Sequence, residues 1–192
     1  MENTFNIITL GCKVNQYESE AVEELFLQKG YKKQASDADI YVINTCTVTN
    51  MSDRKSRQMI SRARRDNPDA VIAVMGCYSQ VKPEEVSAVD GVDIVLGSRN
   101  KESVVDLCED IMQNKSVRDK IIAPSETKSF EELQISNQTE MTRAYLKIQD
   151  GCNMYCSYCL IPYARGNIVS RDIESIVEAV SYTHLRAHET KA

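Results

Sequence analysis

Residues 70–77 read Ala70-Val71-Ile72-Ala73-Val74-Met75-Gly76-Cys77, an apolar run closed by a glycine and a cysteine. A short, continuous apolar run of this kind, following Pro68 and ended by Gly76, reads as a strand buried on both faces. That is the habit of parallel sheets covered by helices, not of a sheet with one wet face. The pattern recurs. Phe5 to Leu10 leads into Gly11-Cys12, Ile40-Tyr41-Val42-Ile43 precedes Cys46, and Val92 to Leu96 forms a fourth run. Helical spacing fills the intervals: Tyr17, Ala21, Val22, Leu25 and Phe26 up to Gly30, then Met59, Ile60 and Ala63 before Pro68. Pro83 stands near a further helix start followed by Val86 and Val89, and Val104, Val105, Cys108, Ile111 and Met112 line a last one. Strands alternating with helices predict an α/β fold, a doubly wound parallel-sheet domain over residues 1–113.

Beyond it the composition changes. Residues 114–142 are polar, with Ser125, Glu126, Lys128, Ser129, Glu131 and Glu132 in close succession and Ile121, Ile122, Phe130 and Leu133 as apolar anchors. This reads as a connector, with a hairpin expected inside it. Ala144 to Gln149 reads as a new strand, then comes a cysteine-rich loop, and Ile173, Ile176, Val177 and Val180 mark a helix, so that residues 143–180 open a second domain.

The 192 residues carry a net charge of -5, which excludes a protein that coats nucleic acid wholesale but leaves room for a local basic face. Phe5 to Leu10 is too short for a signal-peptide core and no stretch approaches a membrane span, so a soluble, cytoplasmic protein with no membrane partner is expected. Seven cysteines, an odd number without a secretory signal, favour reduced thiols used for metal or redox chemistry over a disulfide framework. Three of the seven glycines directly precede a cysteine, at Gly11-Cys12, Gly76-Cys77 and Gly151-Cys152.

Cys152, Cys156 and Cys159 are spaced four and then three apart on one loop. A structural zinc ion takes four ligands, and the two histidines, His184 and His188, lie far along the chain, whereas three thiolates on a four-iron cluster leave one iron open for a substrate or cofactor. A zinc knuckle or a redox thiol loop is the alternative. Cys12, Cys46 and Cys77 each follow a predicted parallel strand by one to three residues, one βα unit apart, so they should converge at the carboxyl edge of the sheet, where open α/β sheets bind ligands. A second iron–sulfur cluster is expected there, the alternative being three scattered core thiols. Glycine before the cysteine suits a tight turn against a cluster. Cys108 falls on an apolar helix face and is expected in the core.

The motif Cys152-x-x-x-Cys156-x-x-Cys159, with aromatic Tyr158, resembles the signature of radical S-adenosylmethionine enzymes. Together with Gly11-Cys12-Lys13-Val14-Asn15-Gln16 and Ser19-Glu20, Asn44-Thr45-Cys46-Thr47-Val48, Met75-Gly76-Cys77-Tyr78-Ser79-Gln80, Asp150-Gly151-Cys152 and Ile161-Pro162-Tyr163-Ala164-Arg165-Gly166, it resembles the methylthiotransferase family. The motif wording is most similar to the branch acting on N6-threonylcarbamoyladenosine beside the tRNA anticodon. Branches acting on isopentenyladenosine in tRNA, or on an aspartate of a ribosomal protein, are the nearer competitors, and a non-enzymatic zinc or iron–sulfur module is the reading from another class.

The resemblance implies two 4Fe-4S clusters and S-adenosylmethionine as cofactors. Cys152, Cys156 and Cys159 would hold the cluster that splits the cofactor into a 5′-deoxyadenosyl radical, which abstracts hydrogen from C2 of the adenine. Cys12, Cys46 and Cys77 would hold the one presenting the sulfur, and both would face one cavity between the domains. It also implies tRNA as partner, with a base already unpaired in the anticodon loop, and a reductant such as flavodoxin or ferredoxin. Lys13 and Asn15 would support the first cluster from beside Cys12. Tyr158 would bind the cofactor by packing near its adenine, or else pack within its own loop.

Six cations, Arg54, Lys55, Arg57, Arg62, Arg64 and Arg65, fall within twelve residues free of acidic ones and would cover the exposed side of a helix, either against tRNA phosphates or simply in water. The family's second domain is a partial (βα) barrel of about six units, of which residues 143–180 supply only the first part. Residues 181–192 neither continue the apolar period nor resemble the family, which suggests a non-native tail. The chain is therefore expected to be an inactive fragment of a longer enzyme, with a foldable first domain.

Overall fold

A computed structural model of the chain describes residues 3–47, 50–113, 120–121, 129–133, 135 and 145–187. Its larger unit is a sheet of strands β1 (Thr4–Thr9), β2 (Lys32–Lys33), β3 (Ile40–Thr45), β4 (Val71–Gly76), β5 (Ile94–Val95) and β6 (Lys120–Ile121) in the order β2-β1-β3-β4-β5-β6. Every neighbouring pair in it is parallel. The helices are α1 (Lys13–Gln28), α2 (Asn50–Asp66), α3 (Cys77–Val81), α4 (Pro83–Ser87) and α5 (Val104–Gln113), with a 3-10 turn at Lys101–Ser103.

The apolar runs do what parallel strands must, sending alternate residues to opposite faces. Ile40, Val42, Ala73 and Met75 pack with Val22 and Phe26 of α1 and Val104, Val105 and Ile111 of α5. Tyr41, Ile43, Ile72 and Val74 pack with Ile60 and Ala63 of α2 and Val86 of α4. Phe5 stacks on Phe26 with ring centroids 4.7 Å apart, pinning β1 to α1. Cys108 is fully buried in the first of these cores, as its helical position requires.

Within the connector, Lys120–Ile121 adds a parallel strand beside Ile94–Val95, and the hairpin expected there falls on residues outside the described ones. Most of residues 114–142 lie outside the described residues, Ile122 included. The strand expected over Ala144 to Gln149 is shorter, β7 (Gln149–Asp150), and it pairs antiparallel with β8 (Val169–Ser170), with the backbone of Gly166 and Asn167 close against Gly151. Ala144 itself lies outside the described residues. The α6 turn (Ile161–Arg165) and the helix α7 (Ile173–Ala187) are the remaining helices among the described residues, and α7 continues past Val180. His188 lies outside the described residues.

Candidate metal centre

The strand order places a topological switch point between β1 and β3, where the chain leaves the sheet in opposite directions and a crevice opens at the carboxyl edge. Thr9 pairs with Asn44 and Thr45 with Gly76, so Cys12, Cys46 and Cys77 follow three adjacent strand ends at that edge. All are free thiols, Cys46 and Cys77 buried and Cys12 exposed. Burial pushes the Cys77 thiol up, Arg165 draws it back down, and Glu18, Cys46 and Cys12 push it further up, so the three thiols share one electrostatic neighbourhood.

The glycines explain how close the loops come. Gly11 sits at φ +106°, and a Cβ there would stand 2.6 Å from Cβ of Cys46 and 3.1 Å from its Sγ. Gly76, at φ +102°, would bring a Cβ to 2.5 Å from both the side-chain oxygen of Asn44 and the carbonyl of Thr45. Only glycine fits either place.

Asn15, fully buried in the first turn of α1, ties the loops together. Its amide nitrogen donates to the Leu10 and Thr45 carbonyls, each at 2.9 Å, and its oxygen accepts from the Cys12 thiol at 3.6 Å. Asn44 donates to the Asn15 carbonyl at 2.8 Å and to Ser19 at 3.1 Å, while its own buried oxygen has no partner among the described residues. Lys13 lies with its ammonium 5.0 Å from the Tyr145 ring centroid.

The second set of thiols lies on the loop between β7 and α6, with Cys156 exposed and Cys152 and Cys159 half-buried. The Cys152 amide donates to the Gly166 carbonyl and the Cys159 amide to the Cys156 carbonyl, bending the loop on itself. A Cβ at Gly151 (φ +80°) would come within 2.2 Å of the Asn167 carbonyl, and Tyr155 also holds a positive φ of 46°. Tyr158 is 90% exposed, so the packing-within-the-loop reading for it is wrong; its ring projects outward from the turn.

Both sites meet at a buried ion cluster. Arg165, at the end of α6, donates to Glu18 of α1 at 2.8 Å, to Asp150 at 3.1 Å and to the side-chain oxygen of Asn15 at 2.9 Å. Lys147 reaches Glu18 at 2.7 Å and Asp150 at 2.6 Å, and Lys101 lies 3.3 Å from both Glu18 and Glu131. Burial would raise the Glu18 carboxyl, but Lys101, Arg165 and Lys147 outweigh it and hold Glu18 far below the usual range. Asp150 is lowered in the same way, its burial overcome by Arg165 and Lys147. Arg99 donates to the Arg165 and Asn167 carbonyls, and α6 packs against α3, where Cys77 begins.

Asn15 beside Cys12 is where the sequence suggests it. Glu18, Lys101, Lys147 and Asp150 were missed; the available signal is that Asn15, Glu18 and Ser19 interrupt, with polar groups, the same α1 face on which Val22 is buried. The basic segment on α2 divides. Arg64 donates to the carbonyls of Pro68, Ala70 and Gly91 and to Asp93, and Arg57 donates to Tyr78 and Glu85, so both are tied to the fold, whereas Arg54, Lys55, Arg62 and Arg65 are exposed.

Among the described residues, no group of three or more His, Cys, Asp or Glu is disposed to hold a single metal ion. The features that fit a larger thiolate-held group at the first site are the donor set itself, the two glycine cradles and the partnerless Asn44 oxygen. No helix among the described residues is long and apolar enough to cross a membrane.

Residues 4–97 match a family model described as uncharacterized protein family UPF0004. The chain is 47% identical over 172 residues to a threonylcarbamoyladenosine tRNA methylthiotransferase MtaB of Bacillus subtilis, covering 88% of this chain and 38% of that protein. It is 41% identical over 177 residues to the MtaB of Aquifex aeolicus, covering 90% and 42%. It is also 34% identical over 187 residues to a tRNA-2-methylthio-N(6)-dimethylallyladenosine synthase of Finegoldia magna, covering 92% and 40%. The chain thus spans about two fifths of the length of these relatives.

Proposed function

Because residues 4–97 form a UPF0004 domain and the chain is homologous over most of its length to threonylcarbamoyladenosine tRNA methylthiotransferases, we propose that it forms the N-terminal part of such an enzyme. Residues 1–113 are the sulfur-presenting α/β domain, 114–142 the connector and 143–180 the start of the radical S-adenosylmethionine domain. The family implies iron–sulfur clusters and S-adenosylmethionine. In our reading Cys12, Cys46 and Cys77 hold one 4Fe-4S cluster, Cys152, Cys156 and Cys159 hold the other, and Tyr158 lies beside the cofactor. Bound together, these groups supply radical hydrogen abstraction at the adenine and the sulfur and methyl that replace the hydrogen.

The chain's own residues do the positioning. Gly11 and Gly76 let two cysteine loops close on the switch-point crevice, and Asn15 binds the backbone before Cys12 and before Cys46. Arg165 carries the second cysteine loop to the same place. The substrate is a nucleoside beside the tRNA anticodon, unpaired and therefore cheap to draw into a pocket. Electrons come from a small reductant protein of the flavodoxin or ferredoxin kind.

The observation that carries this reading is the convergence of Cys12, Cys46 and Cys77 on adjacent parallel strand ends at the switch point. Mass spectrometry of tRNA nucleosides from a strain lacking the gene tests the substrate. Loss of the methylthio derivative of threonylcarbamoyladenosine supports the proposal; its persistence, with loss of the dimethylallyladenosine derivative, moves the protein to the other branch. Anaerobic reconstitution with iron and sulfide tests the cofactors: roughly eight irons per chain are expected for two four-iron clusters, and fewer than about three overturn the assignment.

A further inference from the structure

The ion cluster joins three cations, Lys101, Lys147 and Arg165, to three carboxylates, Glu18, Glu131 and Asp150, and no side chain in it is more than 9% exposed. Arg165 differs from the two lysines in using its planar fork for two tasks. Nη1 serves Glu18 and Asp150, and Nη2 donates to the Asn15 oxygen at 2.9 Å and to the second Glu18 oxygen at 3.3 Å. Asn15 in turn spends both amide hydrogens on the carbonyls of Leu10 and Thr45, the residues leading into Gly11-Cys12 and into Cys46. The Asn15 oxygen also meets the Cys12 thiol, at 3.6 Å, and the shorter, charge-assisted bond from Arg165 is the one that holds the amide in its orientation.

We infer that Arg165 is a positioning residue for the first thiol triad: through Asn15 it locks the loops of Cys12 and Cys46, so that their order depends on the docked second cysteine loop. The inference rests on the reading of Cys12, Cys46 and Cys77 as cluster ligands, but the relay acts on the thiol-bearing loops before any metal is bound. Losing a charge-assisted hydrogen bond at Asn15 releases the Cys46 loop locally. Losing a lysine from the same ion cluster does not, because neither Lys147 nor Lys101 bonds to Asn15.

The test uses the metal-free chain, N-ethylmaleimide and mass spectrometry of each cysteine, with buried Cys108, in the far core, reporting global unfolding. Arg165→Met should raise the alkylation rate of Cys46 relative to Cys108 roughly tenfold, while Lys147→Met leaves that ratio as in the parent. An unchanged Cys46 to Cys108 ratio in Arg165→Met, or an equal rise in Lys147→Met, overturns the inference, including where either variant is globally destabilised. A separate arm reconstitutes the chain with Cys152, Cys156 and Cys159 changed to Ala. The parent should take up about four irons and Arg165→Met fewer. No iron in the parent refutes the cluster reading alone, since the thiol ratio still decides the relay.

Discussion

Nη1 of Arg165 stands 2.8 Å from Oε1 of Glu18, joining two residues 147 positions apart in the sequence. Glu18 is fully buried and also meets Lys147 at 2.7 Å and Lys101 at 3.3 Å. Three cations converge on one carboxylate, so its removal leaves buried positive charge unmatched, which is far costlier than losing a surface pair. Glu18→Gln should destabilise the chain by about 3–5 kcal/mol, read as a lowered urea midpoint. A loss below about 1 kcal/mol would mean that water reaches the cluster and screens it.

The same carboxylate gives the chain an acid sensitivity of known sign. Glu18 is lowered from its ordinary value of 4.5 by Lys101, Arg165 and Lys147 against the opposing effect of burial. Its contribution to stability is therefore complete above about pH 4.5 and is lost as pH falls through the depressed value in the folded chain. Asp66, Glu85 and Asp172 are also lowered and add an acid-sensitive background. The informative quantity is the difference between the parent and Glu18→Gln. Urea midpoints taken from pH 7 to pH 3 should converge below pH 4.5; a constant gap would assign the loss to packing instead of charge.

Gly11 and Gly30 separate close approach from backbone strain. Both have positive φ, +106° and +85°, but a Cβ at Gly11 would lie 2.6 Å from Cβ of Cys46, whereas nothing lies within 4 Å of one at Gly30. Gly30→Ala should cost about 1 kcal/mol, the strain of the left-handed region alone, and leave iron uptake at the parent level. Gly11→Ala should cost more and abolish iron uptake at the first thiol triad, because the loops of Cys12 and Cys46 must separate. Melting curves and iron per chain after anaerobic reconstitution distinguish the two, and equal iron in both variants would remove Gly11 from the site.

How much of this was readable beforehand follows from the kind of signal involved. The parallel sheet was legible because Ile40 to Ile43 and Ala70 to Met75 are apolar without interruption, which a two-face burial requires. The convergence of Cys12, Cys46 and Cys77 followed from topology, since parallel strands end on one edge. Lys120–Ile121 leaves no signal in the sequence, because a two-residue strand paired with Ile94–Val95 has no periodicity to read. The ion cluster was invisible for a different reason. Glu18, Lys101, Lys147 and Arg165 look like surface residues one at a time, and their burial exists only once four distant segments meet. Arg64 was misread likewise: its place in a basic stretch hid the carbonyls of Pro68, Ala70 and Gly91 waiting for it.

That division of the basic helix is itself testable. Arg64 also pairs with Asp93 at 2.8 Å, so Arg64→Ala should cost about 2 kcal/mol through stranded acceptors. Reversing exposed Arg54 and Lys55 to Glu should move stability by less than about 0.5 kcal/mol. If this face meets tRNA phosphates, the reversal weakens tRNA binding at low salt and flattens its salt dependence by about one unit of log–log slope for each phosphate no longer neutralised. Unchanged binding would assign the exposed cations to solvent.

Cys108 provides the control for every thiol assignment. It is fully buried among Val104, Val105 and Ile111 on the α5 face, and burial, with smaller contributions from Asp93 and Glu109, pushes its thiol far up, so it is neither nucleophile nor ligand. Cys108→Ala should cost about 1 kcal/mol for the small void it leaves and retain full iron uptake. Cys77→Ala, at a strand end on the switch-point edge, should lose the iron of the first triad with little change in the protection of Cys108. Iron per chain and cysteine alkylation, measured on both variants, decide the matter: a deficit in Cys108→Ala equal to that in Cys77→Ala would put the seventh cysteine among the ligands and dissolve the division into two triads.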